Sequence, residues 1–385
     1  MEHQTIQLDK KADAGLSRLI ENYIRQLFDE RDVSPANQTK LWSHYYNTLS
    51  KGVDLGYNPK PEMYDPQLAH SLKYDIAKFS AFKETSFRKQ LEAALTKDGK
   101  IQPWSEFKKT ADSLNIDYNR RWLKTEYNHT VATANMAEKW QDFEADKDLY
   151  PNLKYVTAGD ARVRDAHKIL DGLILPINHP FWKTHTTPLD WGCRCNIEQT
   201  DDEPSKIIPS YKVKEEFQNN AFYSGKIFNK STYESGLNGS EIKEANADAN
   251  KNFNTVLRGK DKELLSWAAT KIKRGEYLGF TGNQFKLQEV RVSKSTIENV
   301  LNHISIIEHK DIVKDFDLIF DKAKFLNFED LNNLKSNKNY GKKVARGVTG
   351  YNYYISEWKG LEIKINMEVM KNGYEQPYAI IFNKK

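Results

Sequence analysis

The sequence predicts a multidomain protein: an all-α N-terminal region, a small loop-rich His/Cys module, and a C-terminal α+β domain with a short antiparallel sheet. Three observations predict it. Through the first 145 positions apolar residues recur at three- and four-residue steps, the period of an amphipathic helix. The window 156–198 then gathers both cysteines, three of the nine histidines and two of the eight tryptophans, mixed with prolines and glycines that end regular structure. Beyond position 276 apolar residues alternate, the period of a strand with one buried face. At 385 residues the chain exceeds what one core usually holds. The divisions read as 1–149 helical, 150–210 the His/Cys module, 211–250 a linker, and 251–385 the α+β domain.

Each element has its own signal. Leu16, Leu19, Ile20, Tyr23, Ile24, Leu27 and Phe28 form one stripe and predict a helix over 13–31. Ser34-Pro35 opens a second over 36–51, with Ser suited to cap and Pro to the first helical position. Pro59, Pro61 and Pro66 interrupt the chain before a helix over 67–95. Residues 96–100 form a polar turn, and helices follow to about 114 and over 117–144. In the latter, alanines and threonines let a neighbouring helix approach closely. The segment 218–250, rich in Asn, Gly and Ser, reads as a tether. Helices are expected at 260–273, 294–308 and 311–320, and strands at 276–291, 351–358, 361–369 and 377–382, with Gly360 and Asn372-Gly373 at the turns.

Composition narrows the function classes. With 29% charged residues and a mean hydropathy of −0.75, the chain is expected to be soluble. No apolar run approaches the ~20 residues of a membrane span, and the polar start lacks the apolar stretch of a signal peptide. Two cysteines one residue apart form no long-range staple, which fits a reducing cytoplasm. Net charge is +5, but residues from Lys251 onward carry +8 and the rest about −3, so the basic character is C-terminal.

Cys193-x-Cys195, preceded within thirty residues by His167, His179 and His185, has the ligand types that zinc selects. A small loop-rich module lacks apolar mass, which gives a structural metal a purpose. The competing reading makes the cysteines small buried apolar residues and the histidines ordinary hydrogen-bonded ones. Arg162, Arg164, Asp165 and Asp171 are expected to brace the loop in ion pairs, the alternative being that Arg162 and Arg164 meet a partner's carboxylates; Gly159 and Gly172 are expected to adopt conformations other residues avoid, and Phe181, Trp182 and Trp191 to be local core. No nucleophile with an attendant base is evident here.

The order of motifs carries a resemblance. Lys124-Thr125-Glu126-Tyr127-Asn128, then Gly159 to His167 (G-D-A-R-V-R-D-A-H), Leu170-Asp171-Gly172, Pro180-Phe181-Trp182 and Trp191-Gly192-Cys193-Arg194-Cys195 resemble the phage Mu protein F-like head morphogenesis family over about residues 1–210. The resemblance implies a minor head protein of a tailed phage or prophage, whose helical region docks on portal and capsid proteins in host cytoplasm and which ends in the virion, at the portal vertex or capsid interior. Arg162, Arg164, His167, Asp171, Gly172, Cys193, Arg194 and Cys195 match that motif one by one. With it, zinc held by His167, Cys193 and Cys195 gains weight, with His185 or His179 as a fourth ligand.

Between Lys335 and Ser356 lie five cations and four tyrosines and no acidic residue, a pattern suited to a phosphate backbone with stacked bases, of DNA or RNA. The alternative is a strand edge kept soluble by lysines. The order of helices and strands is similar, more distantly, to nuclease domains of barnase-EndoU-colicin-RelE type that occur fused to phage head proteins. That likeness implies metal-independent RNA cleavage, with His303 as general base or acid, Arg346 and Lys343 as phosphate stabilisers, and Tyr353 as a proton-transfer or stacking group. The last strand lacks the Ser or Thr expected near such a site.

Overall fold

The computed structural model describes residues 10–60, 63–273, 275–336 and 338–383; the expectations for the polar start and for Pro61 lie outside the described residues. The chain divides into two compact units, one of Met1–Pro59 and Ser71–Phe253, the other of Lys60–His70 and Asn254–Lys385.

The first unit opens with α1 (Lys10–Glu30), α2 (Pro35–Gly56) and α3 (Pro66–Leu95, whose first turn belongs to the second unit). Ile20, Tyr23, Ile24 and Leu27 of the predicted stripe are buried on α1. Ser34 stands at the N-cap of α2, but its hydroxyl goes to Gln26 Oε1 at 3.1 Å rather than to the helix, and Pro35 alone pre-sets the first turn. The polar turn at 96–100 closes a minimal hairpin, β1 (Thr96–Lys97) with β2 (Lys100–Ile101). The next two expected helices are one run: α4 (Trp104–Ile116), a π-helical turn at Asp117–Trp122, and α5 (Leu123–Ala145). The helix that the Ala/Thr face of α5 admits is α2, through Gly52 and Gly56.

The His/Cys module contains strands that the sequence reading did not find. β3 (Asn152–Val156), α6 (Asp165–Lys168), β4 (Ile174–Pro176) and β5 (Asn196–Thr200) make a three-stranded antiparallel sheet in the order β4-β3-β5, with Leu153 opposite Leu175 and Tyr155 opposite Ile197. Nor does the module lack a core. Leu153, Tyr155, Leu170, Leu175, Trp182, Leu189 and Ile197 pack with Met136, Trp140 and Phe143 of α5, and Trp140 and Trp182 are fully buried. Each such aromatic contributes on the order of 2–3 kcal/mol of apolar burial, so the sheet has an apolar core of its own.

Residues 211–250 do not form a tether. They hold two 3₁₀ turns (Glu215–Phe217, Thr232–Gly236), α7 (Ala221–Ser224) and the start of α8 (Gly239–Lys271). Val213, Phe217, Ile227, Phe228 and Tyr233 are buried, and Phe228 stacks on Phe79 at 4.0 Å. Asn and Ser here serve as caps: Asn220 accepts from Phe222 N–H and Ser231 from Tyr233 N–H. The unit boundary falls inside α8, at Phe253/Asn254.

The second unit continues with β6 (Leu278–Thr281), β7 (Glu289–Val292), α9 (Lys294–Asn302), a 3₁₀ stretch (Ile307–Lys314), α10 (Phe316–Asp321), β8 (Lys324–Asp330), α11 (Tyr340–Ala345), β9 (Val348–Trp358), β10 (Leu361–Met370) and β11 (Tyr374–Phe382). Six strands run in the order β6-β7-β11-β10-β9-β8, antiparallel except β11 beside β7. The expected meander is its centre; β6, β7 and β8 extend it. Ser293 and Thr296 form a reciprocal capping box that opens α9. One face of the sheet, Tyr354, Ile363, Ile365, Met367 and Ile380, packs on Ile297, Val300, Leu301, Ile319 and Phe320. No helix among the described residues is long and apolar enough to cross a membrane.

Candidate functional site

Two sites were expected, and each is built by a different unit. In the first, His167 sits on the single turn α6, and Cys193 and Cys195 on the loop that enters β5. His167 Nδ1 lies 3.6 Å from Cys193 Sγ and 3.8 Å from Cys195 Sγ, while its Nε2 is 3.2 Å from the Tyr211 hydroxyl. The three potential ligand atoms lie within 4.8 Å of one another. Both thiols are free, and they share one ionisation: a hydrogen bond from Cys195 draws Cys193 down, and the same contact pushes Cys195 up. Tyr155 Oη is buried beside them, and burial together with Cys193 and Cys195 pushes that hydroxyl well up.

His185 and His179 stand apart from this cluster. His185 Nδ1 is 2.8 Å from Thr184 Oγ1 and Nε2 is 2.9 Å from the Tyr211 carbonyl, so both ring nitrogens are engaged. His179 Nδ1 accepts from Phe181 N–H and caps the 3₁₀ turn Pro180–Lys183. Neither offers the fourth ligand that the sequence expected.

The motif residues around the cluster brace its loops, with partners other than those expected. Arg194 makes a two-pronged contact to Asp160, at 2.6 and 2.8 Å, and holds that carboxyl well below its usual range. Arg162 joins the same carboxylate at 3.3 Å. Arg164 donates to the Trp191 carbonyl at 2.6 Å and approaches Asp190 at 3.9 Å, and Asp165 pairs with Lys168. Asp171 accepts from both the backbone N–H and the hydroxyl of Thr157. Gly159 and Gly172 have φ of +67° and +76°, where a side chain would be strained. Trp182 is core, with Phe181 and Trp191 half-buried against it.

The second site lies on the sheet face opposite the main core. His303 caps the end of α9, its ring 4.7 Å from that of Tyr378. Lys343 of α11 reaches the Tyr351 hydroxyl and stands 4.5 Å above both the Tyr351 and Tyr378 rings. Arg346, just after α11, pairs with Glu368 of β10, whose Oε2 also accepts from Gln376 at 2.8 Å. Glu368 is fully buried, and its Oε1 has no hydrogen-bond partner. Burial, then the Lys343 charge, lowers the pKa of His303; burial also lowers that of Lys343.

Three of the four residues nominated from the sequence, His303, Lys343 and Arg346, therefore converge. Tyr353 does not join them directly: its hydroxyl donates to Glu329 at 2.7 Å, and its ring is 6.5 Å from Tyr351. Tyr351 is one of the four tyrosines the sequence singled out in the basic segment, whereas Glu368, Gln376 and Tyr378 were missed as members of the site. A signal existed, because Lys364, Asn366 and Glu368 alternate along β10 and so share the face that Tyr351 and Tyr353 share on β9. The position where Ser or Thr was expected is filled by Gln376 and Tyr378, the latter on a β-bulge: β10 pairs Asn366 with Ala379 and Met367 with Pro377, and skips Tyr378.

Fold and sites define a class of protein: a helical unit carrying a three-stranded, His/Cys-bearing sheet, and a basic α+β unit with a His/Lys/Arg/Glu surface. Comparison with known proteins narrows the first part. Residues 76–198 match the family described as Phage Mu protein F like protein, a shorter span than the motifs suggested, and the resemblance stands there. The chain is 26% identical over 168 residues to the putative capsid assembly protein F of Escherichia phage Mu, which covers 38% of this chain and 37% of that protein. It is 32% identical over 116 residues to the Mu-like prophage FluMu F protein of Haemophilus influenzae, covering 30% of this chain and 27% of the relative. The matched part thus spans roughly a third of either relative's length. No solved structure matches the chain.

Proposed function

We propose that this chain is a phage or prophage head-assembly protein that works in the host cytoplasm and ends in the virion, docked through its helical unit on portal and capsid proteins. The observation that carries the reading is the similarity of residues 76–198 to phage Mu protein F-like proteins, one of them named for capsid assembly. The test is recovery of the chain with portal and capsid proteins from purified particles; its absence from them and from assembling heads refutes the reading.

A second activity is favoured by the convergence of His303, Lys343, Arg346 and Glu368 in the basic unit: metal-independent cleavage of RNA. His303, kept neutral at pH 7 by burial and the Lys343 charge, takes the proton of a 2′-hydroxyl. The 2′-oxygen attacks the adjacent phosphorus, the bond to the 5′-oxygen breaks, and Lys343, made more acidic by burial, protonates the departing oxygen. Arg346, oriented by Glu368, offsets the charge that develops on the phosphoryl oxygens. A groove of about 720 Å³ lined by Tyr277, Arg291, Lys294, Tyr374 and Gln376 adjoins Glu368 through Gln376 and supplies cations and rings for the strand. Incubating the full chain with RNA beside His303→Ala and Arg346→Ala tests this. Failure of the wild type to cleave refutes the activity, and equal cleavage by all three refutes the residue assignment.

A further inference from the structure

We infer that His167 Nδ1, Cys193 Sγ and Cys195 Sγ bind one zinc ion, with water in the fourth position, as a clasp that ties α6 to the loop entering β5. The proposal stands independently of the assembly and cleavage readings. Its first support is the spacing of the donors. Thiolate and imidazole ligands at their usual distances from a tetrahedral zinc ion lie about 3.5 Å apart. The two sulfur-to-nitrogen separations are 3.6 and 3.8 Å, so two edges of such a tetrahedron exist before any ion is added.

The second support is what surrounds the donors. A histidine that ligates through Nδ1 needs its Nε2–H directed to an acceptor, which fixes ring orientation and tautomer. The Tyr211 hydroxyl, 3.2 Å from Nε2, takes that role. His167 is 2% exposed and the cysteines half-buried, which leaves one solvent-facing side for a water ligand. The Tyr155 hydroxyl, buried beside the two sulfurs with Cys195 as its nearest acceptor, is a donor that a metal-bound thiolate accepts. Among the described residues no carboxylate joins the three, so the site's ligand set is Cys₂His, which favours zinc over hard cations such as calcium or magnesium.

What the clasp holds is the segment 157–171. Asp160 and Arg162 lie on it, and Asp160 meets Arg194, the residue between the two cysteines. The apolar core secures the sheet and reaches the segment through Leu170, whereas its stretch at Asp160–Arg162 is exposed and is held to Arg194 by surface ion pairs, each worth little in water. Metal ligation closes it from the other side.

The full chain, purified under reducing conditions, loaded with zinc and desalted, is expected to keep a stoichiometric equivalent by mass spectrometry. His167→Gln and the double variant Cys193→Ser/Cys195→Ser are expected to lose it, and His185→Gln to retain it. Trace zinc in the loaded wild type, or unchanged zinc in the double variant, overturns the proposal. Since a variant can misfold, the wild type is tested as well. Its two thiols are expected to resist a thiol reagent, to react after chelation and to be protected again by added zinc. Equal reactivity before and after chelation, or a Cys193–Cys195 disulfide in the protein as isolated from reducing cells, overturns the site.

Discussion

Lys83 is a fully buried cation in the helical unit, and its ammonium donates to Glu126 Oε1 at 2.9 Å and to the Tyr233 hydroxyl at 2.8 Å. Burial lowers its pKa, and Glu126 is the charge that opposes this. Removing one member of such a pair strands the other, so Glu126→Ala is expected to destabilise the unit by about 3–5 kcal/mol, read as a fall in the denaturant midpoint. Glu126→Gln, which keeps an acceptor for Lys83, should lose less. Glu84 offers a pH test. Burial raises its pKa from 4.5 to about 7, against the pull of Arg88 and the hydrogen bond from Tyr23. The folded state therefore binds more protons than the unfolded one between those values. Its stabilising share is full below 4.5 and is lost as pH rises through about 7. Glu84→Gln mimics the protonated form, so its midpoint relative to wild type should rise from about pH 5 to about pH 8; a difference independent of pH would contradict this. Glu126 was legible as a motif residue, but its partner lies 43 positions away, and no local pattern announces a long-range pair.

At the scale of elements, α2 and α5 cross where Gly52 and Gly56 meet Thr130, Val131 and Ala134. A Cβ on Gly56 would stand 2.3 Å from the Val131 carbonyl oxygen, which is backbone and cannot step aside, whereas at Gly52 the closest atom is a side-chain methyl at 3.2 Å. Gly56→Ala is thus expected to destabilise by about 2–3 kcal/mol, and Gly52→Ala by clearly less, despite the better helix propensity of alanine. Thermal unfolding of the two variants measures the order. The helices were legible because their signal is local and repeats over several turns. The strands of the His/Cys sheet were not: β3, β4 and β5 are three to five residues long and pair across intervening loops. The same holds for 211–250, whose polar composition suggested a tether. Its few apolar residues, Phe217, Phe228 and Tyr233 among them, are placed one per turn against the helices. The cluster of His167, Cys193 and Cys195 was legible, but the sequence wrongly added His185 to it, since imidazoles lend themselves equally to capping and hydrogen bonding. The basic surface was legible as cations and tyrosines, while its carboxylate, Glu368, was hidden by cross-strand pairing.

For the molecule as a whole, charge is segregated by sequence, about −3 before Lys251 and +8 from Lys251 onward. The proposed action of the basic unit on RNA therefore predicts that RNA is bound by the full chain and that this binding weakens steeply with added salt. Lys294→Glu and Arg291→Glu, at the groove beside Tyr374, should reduce the slope of log affinity against log salt. A slope unchanged by both charge reversals would place the contact elsewhere. The two units have separate cores, and unfolding is expected to depart from a single two-state transition, seen as a calorimetric enthalpy that exceeds the van't Hoff value.

The skipped residue in β11 permits an unusual kind of variant. Because Pro377 already faces Met367 and Ala379 already faces Asn366, deleting Tyr378 would leave every remaining pair in register and turn an irregular ladder into a regular one. A deletion inside a central strand ordinarily turns the residues beyond it to the wrong face. Here it should leave the thermal midpoint within a few degrees of the parent while removing the ring that lies against both His303 and Lys343. The gene would lose one codon, the sheet would keep its pairing, and the surface above it would lose its floor.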